Sequence, residues 1–429
     1  MKRKKRKFKR WFKNFLIIIS LIGLGLALYI YIVPKITPFF NKKNHVDVLD
    51  DVIEHYNKYV VTSKNTFLYD DKFNKIGEIS KGVELTLDDL KNKKKSKYFR
   101  ISDFDNKYYI KYSDVSKIDN LKNISDRYKK YILFNENIVT NDKTPFYDDM
   151  DNLIYEIDKS FSFPIIIKDN DKYGIEFNNR LLYVKKEDVK SVESSNNTDK
   201  SNSSGIGVLN YHAFYDEGVE EEKNNCVTEI CHSKSQFKNH LDYFKENNIL
   251  TLRMNEVEMY VDGKIRLPKS VLITIDDGDR TKIAVDMLTE YKMYGTIFLI
   301  TSWFDTSSYY TTDYVELHSH SDNMHNPGVC PTGQGGGIQC LSEDKIQDDL
   351  KVTRSKLNNT TYFCYPFYEY NEYSIEMLKK AGFTMAFIGE SSHSDNLVHV
   401  GSDKFRLRRF VIVTYTTLND LDNYFGQIK

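Results

Sequence analysis

The sequence predicts an α/β domain built on a parallel sheet or barrel, preceded by a transmembrane helix and two small all-β modules. Three observations predict it. An uncharged apolar run follows a block of cations at the N-terminus, one alternating apolar–polar pattern occurs twice in the first half, and past residue 205 short apolar strands alternate with helical stretches. The chain has 429 residues, room for two to four domains at about 150 residues each. Aromatic residues make up 14% of it, far above what a disordered chain carries. Lys+Arg and Asp+Glu both number 61, but residues 2–13 hold nine of the cations and no acid, leaving 52 against 61 in the rest, a net of −9. An acidic body excludes a nucleic-acid binder that works by phosphate neutralisation.

Residues 1–14 form a basic tail, and Phe15 to Val33, FLIIISLIGLGLALYIYIV, follow with no charge in 19 residues. At 1.5 Å per residue that run crosses a hydrocarbon layer of about 30 Å. The cations before it put the N-terminus inside. A cleaved signal would have a shorter apolar run and a small-x-small site, whereas this run ends in Tyr29, Tyr31 and Pro34. The expectation is a single-pass anchor in a bacterial membrane with everything from about residue 40 outside the cell.

The two β modules are expected at 45–120 and 128–192. Val61-Thr62, Tyr69-Asp70-Asp71, Ile76, Glu78, Ile79 and Lys81 recur 78 residues later as Val139-Thr140, Tyr147-Asp148-Asp149, Ile154, Glu156, Ile157 and Lys159. Short alternating runs broken by Asp, Asn, Gly and Lys are strand-and-turn signals. The closing strands, YIKYSDV at 109–115 and YVKKEDV at 183–189, resemble those of bacterial SH3-like cell-wall modules, which implies either wall binding or a spacer role. Residues 193–205, ESSNNTDKSNSSG, read as a polar linker.

The domain at 206–429 carries the chemistry. VLITIDDGD at 271–279 runs an apolar strand into Asp276, Asp277 and a glycine that lets the chain turn. Two carboxylates with separable roles, one binding a metal and one taking a proton, suit metal-assisted hydrolysis. An Asp-Asp-Gly alone also occurs as a solvated turn, but ELHSHSDNMH at 316–325 follows, again after an expected strand. His320 and His325 are five apart, so a loop rather than one helix face would converge them. Two imidazoles and the Asp277 carboxylate suit Zn²⁺ or a neighbouring transition metal such as Co²⁺ or Ni²⁺.

Cysteines fall into two close pairs, Cys226 with Cys231 and Cys330 with Cys340, plus Cys364. An oxidising exterior permits local disulfides there, with free thiols as the alternative. The Gly-rich segment 326–342, bracketed by Cys330 and Cys340, is expected to shape a substrate groove.

TIDDG, SHSDNMH and FCYPFYEYNEYSIEMLKKAGFTMAF resemble the successive motifs of NodB-type polysaccharide deacetylases, carbohydrate esterase family 4, over about residues 206–415. The resemblance implies a distorted (β/α) barrel and an N-deacetylase acting on amide bonds. It assigns Asp276 as catalytic base, Asp277, His320 and His325 as metal ligands, and Tyr365-Pro366-Phe367 as the substrate and oxyanion segment. VLNYHAF at 208–214 is similar to the permuted general-acid motif of the branch that deacetylates poly-N-acetylglucosamine, which makes His212 the acid. Two departures stand out. Cys364 occupies the position where the family has an Arg orienting the base, and the acid-rich fourth motif that tethers the His is not visible. The implied partner is a β-linked N-acetylglucosamine polymer, with peptidoglycan as the alternative substrate and an inactive wall- or glycan-binding protein as the alternative class.

Overall fold

The structure is a computed structural model that describes residues 58–89, 97–101, 107–122, 125–389 and 396–429. The expected tail and anchor at 1–33 lie outside the described residues, and no described helix is long and apolar enough to cross a membrane. The chain divides into two compact units, one running to Asn123 with Ile154–Glu156 and the other comprising Ile124–Leu153 and Ile157–Lys429.

The first unit consists of short antiparallel strands. Tyr59–Thr62 pairs with Glu84–Asp89 and with Val115–Ile118, and Tyr98–Ile101 pairs with Tyr108–Lys111. Burial alternates along Tyr59–Thr62 and Tyr98–Ile101, putting Val60, Phe99 and Ile101 in the core. The second unit opens with a similar all-β segment around Ile138, Phe146, Phe163 and Phe177. The sequence repeat is also a repeat of hydrogen bonds. Asp70 accepts from the backbone N–H groups of Lys72 and Asn74 and from the Asn74 amide. Asp148 does the same with Met150 and Asn152. The expected closing strands are each broken by a short 3-10 turn, at Tyr112–Asp114 and Lys186–Asp188, into a strand before it and a strand from Val115 or Val189 after it. A carboxylate that caps its own turn needs an Asp at that place, which is why the Tyr-Asp-Asp triplet survives in both copies.

Within the second unit the β segment is built into the α/β domain. Arg127 clasps the buried Glu256 with two hydrogen bonds of 2.6 Å, Tyr131 donates to the same carboxylate, and Ile132 bridges Arg266. Tyr128, Ile166 and Ile167 share an apolar cluster with Val257, Tyr260 and Leu267. The expected linker lies along this seam. Asn197 donates to the carbonyls of Phe134 and Glu136, and the Ser203 N–H to Leu267. Polar residues are held here by backbone partners, not by apolar burial.

Besides a short strand, Leu250–Thr251, that pairs alongside Ser270–Asp277, the eight-stranded parallel sheet of the α/β part runs along one seven-strand path. The strands of that path are β1 (Gly207–Tyr211), β2 (Ser270–Asp277), β3 (Gly295–Leu299), β4 (Val315–Ser319), β5 (Tyr362–Cys364), β6 (Met385–Phe387) and β7 (Phe410–Val411), in the order β6-β5-β4-β3-β2-β1-β7. Just before β7, the Leu407 N–H donates to Ala386 and the Ile388 N–H to Leu407, while β7 itself pairs with β1, so the 404–411 stretch meets both edges and the sheet curls round. β1 is buried at every position and β2 at all but Asp277, as strands covered on both faces must be. Amphipathic helices cover the sheet, among them α1 (Lys234–Glu246), α2 (Met254–Val261), α3 (Lys282–Tyr291), α4 (Glu343–Lys356), α5 (Glu372–Lys380) and α6 (Leu418–Gly426). Register aligns Asp277 with Leu299, Leu299 with Ser319, and Ser319 with Phe363. The residues next along, His320 and Cys364, therefore sit at the same sheet edge as the two aspartates.

Candidate active site

The β2 strand ends in a left-handed step. Asp277 has φ +70° and Gly278 φ +99°, and the Gly278 N–H donates to the Asp276 carbonyl. A Cβ at Gly278 would strike the Leu299 side chain, so only glycine closes this turn. The step turns two adjacent carboxylates toward one cleft of about 1210 Å³, lined also by His212, His320, His325 and Phe367.

Asp277, His320 and His325 form the candidate metal centre. Asp277 Oδ1 lies 3.4 Å from Nε2 of each histidine, and one ligand atom from each of the three falls within 4.8 Å of the others. The donor set of one carboxylate and two imidazoles fits Zn²⁺ and its neighbours. His320 Nδ1 is bonded to the Cys364 carbonyl at 2.8 Å, which fixes the tautomer with Nε2 free for an ion. A second trio, Asp276, His320 and Cys364, is equally close, but its thiol accepts from the Arg409 guanidinium at 3.0 Å. A fixed cation at that point disfavours a second ion.

Asp276 is buried and held by Arg409, which is itself 0% exposed. The guanidinium donates to the two carboxylate oxygens at 2.7 and 2.8 Å and also reaches Thr274 Oγ1 and the Ile388 carbonyl. Burial works against the Asp276 charge, yet the Arg409 cation overrides it and keeps the carboxyl well below its usual range. The cation set against Asp276 thus comes from Arg409, while the position that opens the FCYPF segment, Cys364, supplies none. Burial pushes the neighbouring Cys364 thiol up, so it stays a neutral filler.

His212 lines the cleft and is nearly buried, with Nε2 3.2 Å from the Tyr368 hydroxyl. That hydroxyl donates to Asn210 Oδ1 at 2.7 Å. His212 Nδ1 has no hydrogen-bond partner among the described residues. Burial lowers the His212 pKa, opposed by the charges of Asp276 and Asp277, so its protonated form gives up a proton readily.

The third-motif segment divides. Phe367 reaches the cleft and stacks 4.2 Å from the His325 ring, in a turn where Phe367 and Tyr368 have φ +57° and +65°. Two non-glycine residues in the left-handed region mark strain at the site. Tyr365 and Pro366 are buried and do not line the cleft, and the Tyr365 hydroxyl donates to the Phe405 carbonyl instead. Both cysteine pairs are disulfides, Cys226–Cys231 and Cys330–Cys340, and Cys364 is free. In the Gly-rich loop Gln334 lines the cleft, and the Glu369 carboxylate gathers the N–H groups of Gln334, Gly335 and Gly336 and the Gln339 amide. A Cβ at Gly335, which has φ +90°, would press on backbone atoms of Gly328 and Cys330, so that position requires glycine.

Sequence reasoning missed Arg409, Tyr368 and Glu369. The Arg408-Arg409 pair just before an apolar FVIV run was a visible signal, but nothing in the linear spacing ties it to Asp276, 133 residues earlier.

The family model described as polysaccharide deacetylase matches residues 264–386. YxkH of Bacillus subtilis (strain 168), which carries the name of a polysaccharide deacetylase, is 27% identical over 162 residues, covering 37% of this chain and 58% of that relative. The chain thus matches little more than half the length of this relative. Solved structures with a similar chain course include a de-N-acetylase from Aggregatibacter actinomycetemcomitans, with TM-score 0.43 and 20% identity over 51% of this chain and 99% of that one. IcaB from Ammonifex degensii gives TM-score 0.43 and 20% identity, over 53% and 98%. Residues 264–386 span both carboxylates, both candidate metal-binding histidines and Phe367, so the stretch that is similar to the polysaccharide deacetylase model is the one that carries most of the cleft residues.

Proposed function

We propose that the chain hydrolyses the N-acetyl groups of N-acetylglucosamine units in an extracellular polysaccharide, with poly-N-acetylglucosamine exopolysaccharide as the favoured substrate. The observation that carries the reading is one cleft holding a carboxylate–bis-imidazole trio beside a second, Arg-held carboxylate. Asp277, His320 and His325 would hold a divalent metal, Zn²⁺ or a neighbour such as Co²⁺ or Ni²⁺, which when bound supplies Lewis acidity toward the acetyl carbonyl. Asp276, kept ionised by Arg409, accepts the proton of the attacking water. His212 donates a proton to the departing amine, since an amide anion is too poor a leaving group to be expelled unprotonated. The Phe367 N–H, in its strained turn, is the donor assigned to the developing oxyanion.

In this reading residues 15–33 anchor the chain with its N-terminus inside and the domain outside the cell, and the β modules act as SH3-like spacers or wall-binding units. Peptidoglycan N-acetylglucosamine is the alternative substrate. An inactive glycan-binding protein is disfavoured by the complete carboxylate, imidazole and guanidinium set around the cleft.

The test is metal content together with acetate release from β-linked N-acetylglucosamine oligomers of several linkages. One divalent ion per chain with acetate release is expected, and Asp277→Ala and His320→Ala should lose the ion and the activity together. A variant that keeps full activity without bound metal refutes the assignment, and the preferred linkage separates exopolysaccharide from peptidoglycan.

A further inference from the structure

His320 and His325 are five apart, outside the i,i+4 spacing that stacks two side chains on one helix face. Their ring centroids nevertheless lie 4.8 Å apart, so the four residues between them must be held in one conformation from outside. Ser321, buried and at φ +73°, starts this loop in the left-handed region. The four N–H groups that follow His320 all donate to side-chain oxygens. Ser321 donates to Ser319 Oγ at 3.1 Å and Met324 to Ser321 Oγ at 3.2 Å. Asp322 and Asn323 donate to the two oxygens of the Asp349 carboxylate, at 2.8 and 2.7 Å. Half of the backbone donors between the histidines thus end on one side chain, an accounting that buried or half-buried N–H groups demand.

That carboxylate belongs to a stripe on α4. Asp349, Thr353 and Lys356 follow the i, i+4, i+7 spacing of one helix face, a spacing that carries apolar residues where a helix simply covers a sheet. Thr353 Oγ1 lies 3.0 Å from Ser319 Oγ, and both residues are buried. Lys356 Nζ donates to Asp322 Oδ1 at 2.6 Å and to the Thr301 carbonyl at 3.0 Å, and the Thr301 hydroxyl donates to the same Asp322 oxygen at 2.6 Å. All three side chains of the stripe therefore reach residues 319–323, the stretch that carries His320.

A carboxylate with one N–H on each oxygen fixes the relative orientation of two consecutive peptide planes, and the charge makes both bonds strong. Burial pushes the Asp349 carboxyl up to about 6, against the pull of the two N–H groups, so it is an ionised, acceptor-only group in mildly alkaline solution. On the far side of the loop the buried Met324 accepts at its carbonyl from the Gly337 N–H, and the chain turns back to His325. The loop between the histidines is therefore anchored along its whole length, with Asp349 holding its middle.

We propose that Asp349 is a positioning residue for the metal centre: by holding the Asp322 and Asn323 N–H groups it sets His320 and His325 at the separation at which both meet an ion together with Asp277. It acts through the loop backbone, so the ligands are arranged before the ion arrives and less is lost in ordering them on binding. The proposal rests on the metal-centre reading of Asp277, His320 and His325. It concerns affinity for the ion and is independent of which glycan is the substrate.

Competition for Zn²⁺ between the metal-stripped, detergent-solubilised full chain and a chromophoric chelator, in mildly alkaline buffer, measures the affinity. Asp349→Asn keeps the size of the side chain but offers one acceptor oxygen and turns an amide toward the second N–H. It should weaken Zn²⁺ binding about 10- to 100-fold, the scale of a lost outer partner of a metal site, and Asp349→Ala at least as much. With Co²⁺ as the probe, the visible bands of the saturated Asn variant should differ from the parent's, because the histidines meet the ion in altered geometry. Gln347→Ala is the control. The Gln347 amide donates to the Met377 carbonyl, so its loss loosens α4 from α5 without touching the loop, and Zn²⁺ affinity should match the parent's. Parent-like affinity in both Asp349 variants overturns the proposal, and so does equal weakening by Gln347→Ala, since helix packing would then account for the effect. A parent that binds no ion overturns the metal-centre reading and the proposal together, whereas tight binding by parent and Asp349 variants alike leaves that reading standing and removes only the role of Asp349.

Discussion

Replacing Arg409 by Met removes the guanidinium that faces Asp276 and leaves a carboxylate that is 1% exposed with only the His320 and His212 imidazoles to offset its charge. Deleting one partner of a buried ion pair costs about 3–5 kcal/mol, so the urea midpoint of Arg409→Met should fall accordingly at neutral pH. The chemistry should change with it. Burial raises a carboxyl pKa, so without the guanidinium the Asp276 pKa should rise from its depressed position. In the parent its stabilising charge is present above the unfolded-state pKa near 4 and is lost as pH falls through the lower folded value. In the variant the base is protonated at pH values where the parent is ionised. The acid limb of kcat/KM for acetate release should therefore move up toward neutrality, and kcat should drop about 10²- to 10⁴-fold, the worth of a positioned general base. Arg409→Lys keeps a charge but loses the two-pronged contact and the bonds to Thr274 and Ile388, and should fall between the two. The double variant Asp276→Asn with Arg409→Met should recover much of the stability and none of the activity. A Met variant with the parent pH profile would show that Arg409 does not hold the base.

Two further outcomes follow from the Glu369 loop contact and from two buried histidines. Glu369→Ala removes the acceptor shared by the N–H groups of Gln334, Gly335 and Gly336, so hydrogen exchange at Gly335 and Gly336 should speed up about 10- to 100-fold, the scale of a lost charged hydrogen bond. KM for the glycan should rise more than kcat falls, and unchanged exchange would exclude a latch. Burial pushes His232 and His240 down to about 4. With folded values below the ordinary 6.5, their contribution is present above pH 6.5 and lost as pH falls toward 4, about 3 kcal/mol each. His232→Leu, which removes a ring Nε2 with no partner among the described residues, should flatten urea stability between pH 7 and 4 by that amount, and an unflattened profile contradicts the linkage.

Much of this was legible in the sequence because it is local. A strand that runs into Asp-Asp-Gly announces its own turn, three His within eight positions announce a polar loop, and a capping Asp repeated 78 residues apart announces a duplicated module. The two cysteine pairs, close in sequence, needed only short loops to meet. What the tertiary structure alone decided is set by contacts that no spacing encodes. Arg409 reaches Asp276 because the 404–411 stretch closes the curled sheet beside β1, so the cation that holds this carboxylate comes from across the fold. Tyr368, just past β5, meets His212, just past β1, across 156 residues. The second β segment is joined to the α/β domain in part by a pair of half-buried Arg127 and buried Glu256, whose two members look like ordinary surface charges in sequence. A side chain's type and local spacing fix the chemistry it can do, while burial and partners decide whether it does it, and those come from residues that are neighbours only once the chain is folded.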